Sequence, residues 1–409
     1  MGLRAGYKQT EVGVIPEDWG VVPLGDISTV TSGGTPSRTA KEYWNGDIPW
    51  ITTTEIDFRV IHEAAQKITS EGLHHSAARL LPPDTLLLAL YGQGKTRGKT
   101  AILGIEAATN QACAAIEVKN RDSFKFIFYF LVSHYKAIRK LSNNGNQENL
   151  NSTIVRSIPI PLPPTKAEQT AIAEALSDVD ALLAELGRLI AKKRALKQAA
   201  LHQLLTAKVR LPGFTGDWQV KRLGELMTIC HGRSQHDVEV ADGPYPILAT
   251  GGQIGTASRA LYSKPSVLIG RKGTINQPQY MDKPFWTVDT LFYSEIKANN
   301  HAKFLFYRFC LINWMQFNEA SGVPSLNAKT IERIKILAPD PEEQTAIAAV
   351  LSDMDAEIAA LERRLAKTRD LKQAMMQELL TGKTRLVPPQ GAPHFADAGK
   401  MVTQKGKGS

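Results

Sequence analysis

The stretch ALYGQGKTR, residues 89 to 97, comes nearest in this sequence to a loop that does chemistry. A phosphate-cradling loop needs G-x-x-x-x-G-K-[ST], because its glycines let backbone amides close round the phosphates while the lysine meets their charge. Counting back from Gly94-Lys95-Thr96 puts Ala89 where the first glycine belongs, so the pattern fails by one residue. His74-His75, and Cys230-His231 with His236, invite a metal reading, yet neither set carries two paired ligand motifs at zinc spacing. No G-x-S-x-G nucleophile elbow and no glycine-rich dinucleotide fingerprint occurs. The chain is therefore expected to be no enzyme by itself, with no metal and no cofactor of its own.

What remains is the chemistry of recognition. Ser32, Thr35, Arg38, Gln93, Lys95, Arg97 and Lys99 fall in two loops of the first part of the chain. Arg233, Gln253, Arg271, Lys272, Asn276 and Gln277 fall in loops of the second. Arginine and lysine can donate to guanine O6 and N7, and asparagine and glutamine fit adenine N6 and N7. Other members of such a set touch only phosphate. The loops SNNGNQENLN (142 to 151, with Asn146) and SGVPSLN (321 to 327) sit at matching places and form a second tier of candidates. A solvated loop of the same composition remains the competing reading for each.

The elements that would position these loops are set out by a repeat. EQTAIAEALSDVDALLAELGRLIAKKRALKQAALHQLLTAKVRL begins at Glu168, and EQTAIAAVLSDMDAEIAALERRLAKTRDLKQAMMQELLTGKTRL begins at Glu343, an offset of 175 residues. Thr165 with Glu168 predicts a capping box for the first copy; Asp340, Pro341 and Glu343 predict the start of the second. Gly382 and the matching Ala207 predict the ends. Between them apolar residues step by three and four, from Ile172 through Leu176, Leu183, Ile190 and Leu196 to Leu204, and from Ile347 through Leu351, Ile358, Leu365 and Leu371 to Leu379. At ~1.5 Å per residue, roughly 40 residues make a rod of about 60 Å, too long to bury itself in one small core. The copies are expected to pair as an antiparallel coiled coil with Leu176, Leu183, Ile190, Leu351, Ile358 and Leu365 in its seam, closed within the chain. Lys193 and Thr368, polar breaks at equivalent positions, are expected to fix the register.

The duplication reaches beyond the helices. Asp18-Trp19 and Leu24-Gly25 are answered by Asp217-Trp218 and Leu223-Gly224, KFIFY (125 to 129) by KFLFY (303 to 307), and LNSTIVRSI (150 to 158) by LNAKTIERI (326 to 334). The expected class is α+β: a mixed recognition domain at 1–164, a long helix at 165–208, a second domain at 209–339, a second helix at 340–387 and a disordered tail at 388–409. Apolar content of 43% over 409 residues suits such a folded chain. Cys113, Cys230 and Cys310 are too few and too scattered for a disulfide framework and read as reduced, mostly packing residues. MGLRAGYKQTEVG has no signal-peptide core and no apolar run reaches 18 residues, which predicts a cytoplasmic protein. A net charge of +9 makes a polyanionic partner plausible.

Two diverged domains alternating with two near-identical helices, the EQTAIA and LKQA strings, SGGTPSR followed by IPWIT, and YPILATGGQIG followed by VLIGRKGTINQP together resemble the DNA specificity subunit of a type I restriction-modification enzyme. The resemblance implies two target recognition domains, each binding one half of a split sequence in double-stranded DNA, with the paired helices fixing the gap. It implies that the two repeats recruit two methyltransferase (modification) subunits and allows endonuclease/translocase (restriction) subunits to join later. S-adenosylmethionine, ATP and magnesium would serve those partners. The residues themselves leave open an autonomous two-domain DNA-binding regulator and a nucleotide hydrolase built on the degenerate loop.

Overall fold

The computed structural model describes residues 5–92, 95–141 and 149–388. Gln93, Asn146 and all but the first residue of the expected tail lie outside them. The chain divides into two compact units, one made of the residues up to Glu185 with those from Ala366 onward, the other of Leu186–Leu365. Both crossings fall inside long helices, Lys166–Leu205 and Pro341–Leu379.

The first unit is built on a five-stranded sheet in the order Ser28–Ser32, Cys113–Val118, Leu86–Ala89, Thr100–Leu103, Val60–Ile61, antiparallel except for the last pair. The apolar run that begins at Thr85 is buried on both faces, and its side chains divide with the two-residue period of a strand. Leu86 and Leu88, with Ile102, Ala114 and Ile116, face a core that holds helix Phe124–Ser133 and Trp19. Leu87 and Ala89, with Ala101, Leu103, Cys113 and Ala115, face a second core. A smaller sheet joins Trp44–Ile51 to Gln66–Ile68 and, in parallel, to Ala108–Thr109.

The second unit repeats the plan. Its main sheet runs Met227–His231, Leu291–Ile296, Ser266–Gly270, Gln279–Met281, and a second sheet runs Glu239–Val240, Gly252–Ala257, Tyr245–Ala249, Trp286–Thr287. Val267 and Ile269 face the core that contains helix Ala302–Leu311, while Leu268 faces the other side.

Each unit takes the beginning of one long helix and the end of the other. In the first, Ile172, Ala173 and Leu176 share a core with Met376, Leu379 and Leu380; in the second, Ile347, Ala348 and Leu351 share one with Leu201, Leu204 and Leu205. The pairing is antiparallel. Glu168 meets Arg385 while Asp180 meets Lys372, and Lys193 meets Glu357 while Lys197 meets Asp355. Leu176, Ile190, Leu351 and Ile358 are buried, and Leu183 and Leu365 are half-buried. Leu196 and Leu371 depart from the sequence reading, being 49% and 54% exposed. In the first unit Thr368 is buried, and in the second the half-buried Lys193 pairs with Glu357 at 2.6 Å, so the two polar breaks are met separately.

Thr165 caps the first helix by accepting from the Glu168 amide at 3.2 Å. The carboxylates of Glu168 and Glu343, expected in capping roles, are instead 1% and 3% exposed and held by arginines. Arg385 forks onto Glu168 and onto Asp18, over the face of Trp19. Arg210 forks onto Glu343 at 2.6 and 2.7 Å, and Trp218 donates to the same carboxylate at 3.0 Å. These are one clasp used twice, since Arg210 and Arg385, like Glu168 and Glu343, are related by the repeat. A second device is also duplicated. The Tyr129 hydroxyl donates to Asp180 at 2.8 Å while Lys372 holds its other oxygen; Tyr307 donates to Asp355 at 2.7 Å, and Lys197 does the same there. Each triad ties a domain helix to both long helices of its unit. Among the described residues no helix is long and apolar enough to cross a membrane.

Candidate nucleic-acid interface

Sheet register decides which loops meet. In the first unit Ser32, Ala114, Leu88 and Thr100 form one row across four strands, so the loops at 33–40, 110–112 and 90–99 all leave the same end. In the second, His231, Phe292 and Ile269 form the corresponding row, and the loops at 232–238, 289–290 and 271–278 leave together. Residues more than fifty positions apart in sequence thus share one surface.

Both units pin the first of these loops in the same way. At Gly33 an added Cβ would lie 2.0 Å from the Thr109 carbonyl oxygen, and at Gly232 the same distance from that of Val288. Only glycine permits so close a crossing. One residue on, the Gly34 carbonyl accepts from Trp50 Nε1 at 2.9 Å, and the Arg233 carbonyl from Trp286 Nε1 at 3.0 Å. The two tryptophans come from opposite members of equivalent parallel strand pairs, Trp50 beside Ala108 and Trp286 beside Ile247. Different sequences therefore reach the same anchor.

In the first unit the predicted residues fall into two groups. Thr35 donates to Gln111. Arg38 lies 3.8 Å above the Trp44 ring and donates to Gln66 at 2.8 Å. Ser32, Arg38 and Lys95 are exposed. Lys99 is half-buried and paired with Asp57 at 2.6 Å. Arg97 is only 4% exposed: its loop folds back against the helix Tyr135–Arg139, where Tyr135 donates to the Lys95 carbonyl and Arg139 to that of Arg97 at 3.4 Å. As folded, the Arg97 guanidinium is not offered to a ligand.

The second unit gathers its candidates more tightly. The amides of Arg271 and Lys272 both reach the Thr290 carbonyl, at 2.8 and 3.3 Å. Gly273 donates to Pro324 and Leu326 to Arg271, each at 2.9 Å, so the loop at 271–278 is stitched to the loop at 321–327. Arg233, Lys272, Asn276 and Gln277 are exposed there, and Arg271 is half-buried. A hollow of about 190 Å³ between these loops is lined by His231, Arg271, Lys272, Glu319, Ser325 and Asn327. Gln253 stands in the other sheet, donating to Gly255 of its own strand at 3.2 Å. Burial raises the Cys230 thiol and pushes the Tyr293 phenol up to about 12. Neither ionises near neutral pH, so neither adds a negative charge to this end, where Arg271 and Lys272 stand with Glu319.

Trp44, Gln66, Gln111 and His231 belong to these surfaces without standing among the sequence candidates for contact, whereas Asn327 falls in the second-tier loop at 321–327. For the first three no signal existed, because they reach the site through pairing of distant strands. The Tyr–Asp–Lys triads did have one: KFIFY and KFLFY repeat, and so do the aspartate and lysine. Among the described residues no group of three or more His, Cys, Asp or Glu is arranged to hold a metal.

Comparison with known families gives the same two-fold division. The model of the type I restriction modification DNA specificity domain matches twice, over residues 16–193 and 215–368. The chain belongs to this family. Each matched stretch contains one anchored loop end and part or most of the long helix behind it. Within the family, the chain is 23% identical to the type I restriction enzyme MjaIX specificity subunit of Methanocaldococcus jannaschii, over 93% of this chain and 96% of that one. It is 26% identical to the EcoprrI specificity subunit of Escherichia coli, over 82% and 87%. The fold is that of the crystal structure of a type I restriction-modification S subunit from M. genitalium, with a TM-score of 0.65, 16% identity and coverage of 93% and 98%.

Proposed function

We propose that this specificity subunit is itself non-catalytic, reads a split target in double-stranded DNA with one recognition domain for each half, and scaffolds methyltransferase subunits through its helices. The observation that carries this is duplication of the whole device: an anchored, cation-bearing sheet end, a Tyr–Asp–Lys triad and an Arg–Glu clasp occur once in each unit. The loops at those ends have diverged in sequence while the geometry of the anchor is kept, as expected of two readers of different half-sites.

A second duplicated feature supports the scaffold. Leu196 and Leu371 are equivalent, exposed, and flanked one turn back by Lys192 and Lys367, also exposed. Folding alone gives no reason to keep a large apolar side chain in water at both places. Two copies of one partner docking on the two repeats would cover them. S-adenosylmethionine, ATP and magnesium belong, in this reading, to the partners.

The test is to co-express the chain with a type I methyltransferase subunit from the same genome and map modified bases by single-molecule sequencing. A split, asymmetric motif is expected. No modification, together with tight site-specific binding by the chain alone, would favour an independent DNA-binding regulator. Inserting four residues, about one helical turn, into both long helices should then change the preferred gap between the half-sites. An unchanged gap would refute the spacing role of the helices.

A further inference from the structure

Arg38 differs from Arg97 and Lys99 in how it is held. Arg97 is buried and Lys99 is neutralised by Asp57. Arg38 is exposed, and among the described residues no carboxylate pairs with it. What holds it is uncharged. Its Cζ lies 3.8 Å from the centroid of Trp44 and 5.0 Å from that of Trp50, and one Nη1 hydrogen goes to the Gln66 amide oxygen at 2.8 Å.

The platform beneath it is also fixed. Trp44 packs edge-on against Trp50 at 5.1 Å and donates to the Ser37 carbonyl at 2.9 Å, while Trp50, 1% exposed, donates to Gly34. The arginine's own loop is therefore tied to the rings on which it lies. Beside it opens a hollow of about 570 Å³ lined by Arg38, Trp44, Asn45, Gly46, Gln66 and Lys67.

A guanidinium has five N–H donors in a planar fork. With one spent on Gln66, the parallel Nε–Nη2 pair has no partner among the described residues, and the side chain keeps its charge with little rotamer entropy left to lose. The base edge that offers two acceptors to such a fork is that of guanine, through O6 and N7. A phosphate contact would need only charge, which a mobile lysine supplies as well.

We propose that Arg38 reads a guanine in the half-site assigned to the first recognition domain, with Trp44 and Gln66 as positioning residues. This rests on the function proposed above and goes beyond it to one residue and one base. The experiment uses the chain with its methyltransferase partner on plasmid libraries randomised across the target, comparing wild type, Arg38→Ala, Arg38→Lys and Gln66→Ala. A wild-type requirement for guanine at one position of one half-site is expected. Arg38→Ala and Arg38→Lys should both relax that position by about 10- to 100-fold and leave the other half-site unchanged, with a smaller relaxation for Gln66→Ala.

A wild-type motif that is split but has no guanine in either half overturns the inference and leaves the function standing. Restoration of wild-type selectivity by Arg38→Lys, or a uniform loss over all bases in Arg38→Ala, identifies a phosphate contact and also overturns it. If Arg38→Ala methylates nothing, Arg38→Lys and Gln66→Ala decide by the same criteria. Absence of any split motif with wild type counts against the proposed function itself.

Discussion

Arg385→Ala should loosen the first unit in a pH-dependent way. The Glu168 carboxylate is 1% exposed and Arg385 16%, and the arginine satisfies both carboxylate oxygens. Breaking a buried pair costs about 3–5 kcal/mol, because the remaining charge is stranded. The partial exposure of Arg385 lets water screen part of this, so about 2–3 kcal/mol is expected near pH 8. The lost fork to Asp18, which is 39% exposed, adds little.

The sign of the pH dependence follows from Glu168. Burial raises its pKa and Arg385 only partly offsets that. A carboxyl whose folded pKa is raised contributes stability fully present below the unfolded value, about 4.3, and lost as pH rises through the folded value. Removing Arg385 raises the folded value further, so the gap between variant and wild type should be smallest near pH 4–5 and widen toward pH 8. Urea unfolding followed by tryptophan fluorescence, reporting the buried Trp19, measures it. Glu168→Gln in the Arg385→Ala background should recover part of the loss at pH 8. A cost below about 1 kcal/mol at pH 8, or one independent of pH, would refute a buried clasp.

The two helix ends should respond oppositely to substitution. Ala207→Gly relieves a left-handed residue at φ 57° and should stabilise by about 0.5–1 kcal/mol, whereas Gly382→Ala would put a Cβ 2.5 Å from Pro16 Cγ and should cost about 1–3 kcal/mol, both read by thermal unfolding. Leu196→Asp with Leu371→Asp should leave thermal stability within about 0.5 kcal/mol and abolish co-purification of the methyltransferase; retained co-purification would move the docking face elsewhere. Tyr129→Phe removes one hydrogen bond to Asp180 and should cost about 1 kcal/mol in chemical unfolding, with relaxed recognition in one half-site only.

Sequence made the periodic and the repeated legible. Two long helices and their ends at Ala207 and Gly382, both left-handed, could be read because helical period and helix termini leave local signatures. Leu196 and Leu371 fall outside the seam because an apolar stripe says that something covers it, not what. In sequence Glu168 and Glu343 show only as caps, because their arginines lie 217 and 133 residues away. The candidate surface was legible as loop composition but not as geometry. Arg97 and Arg38 look alike in sequence, and only the fold separates a buried arginine from one laid on tryptophan.

The way the chain crosses from unit to unit has a consequence for its synthesis. The second unit occupies one continuous stretch, Leu186–Leu365, and can close as soon as it has left the ribosome. The first begins earlier but finishes later: Trp19, Asp18 and Glu168 wait for Gly382 and Arg385. At about 5–20 residues per second, the 217 residues between Glu168 and Arg385 amount to about 10–40 s during which an apolar face of the nascent first domain stays uncovered. The domain made first is the last to be completed.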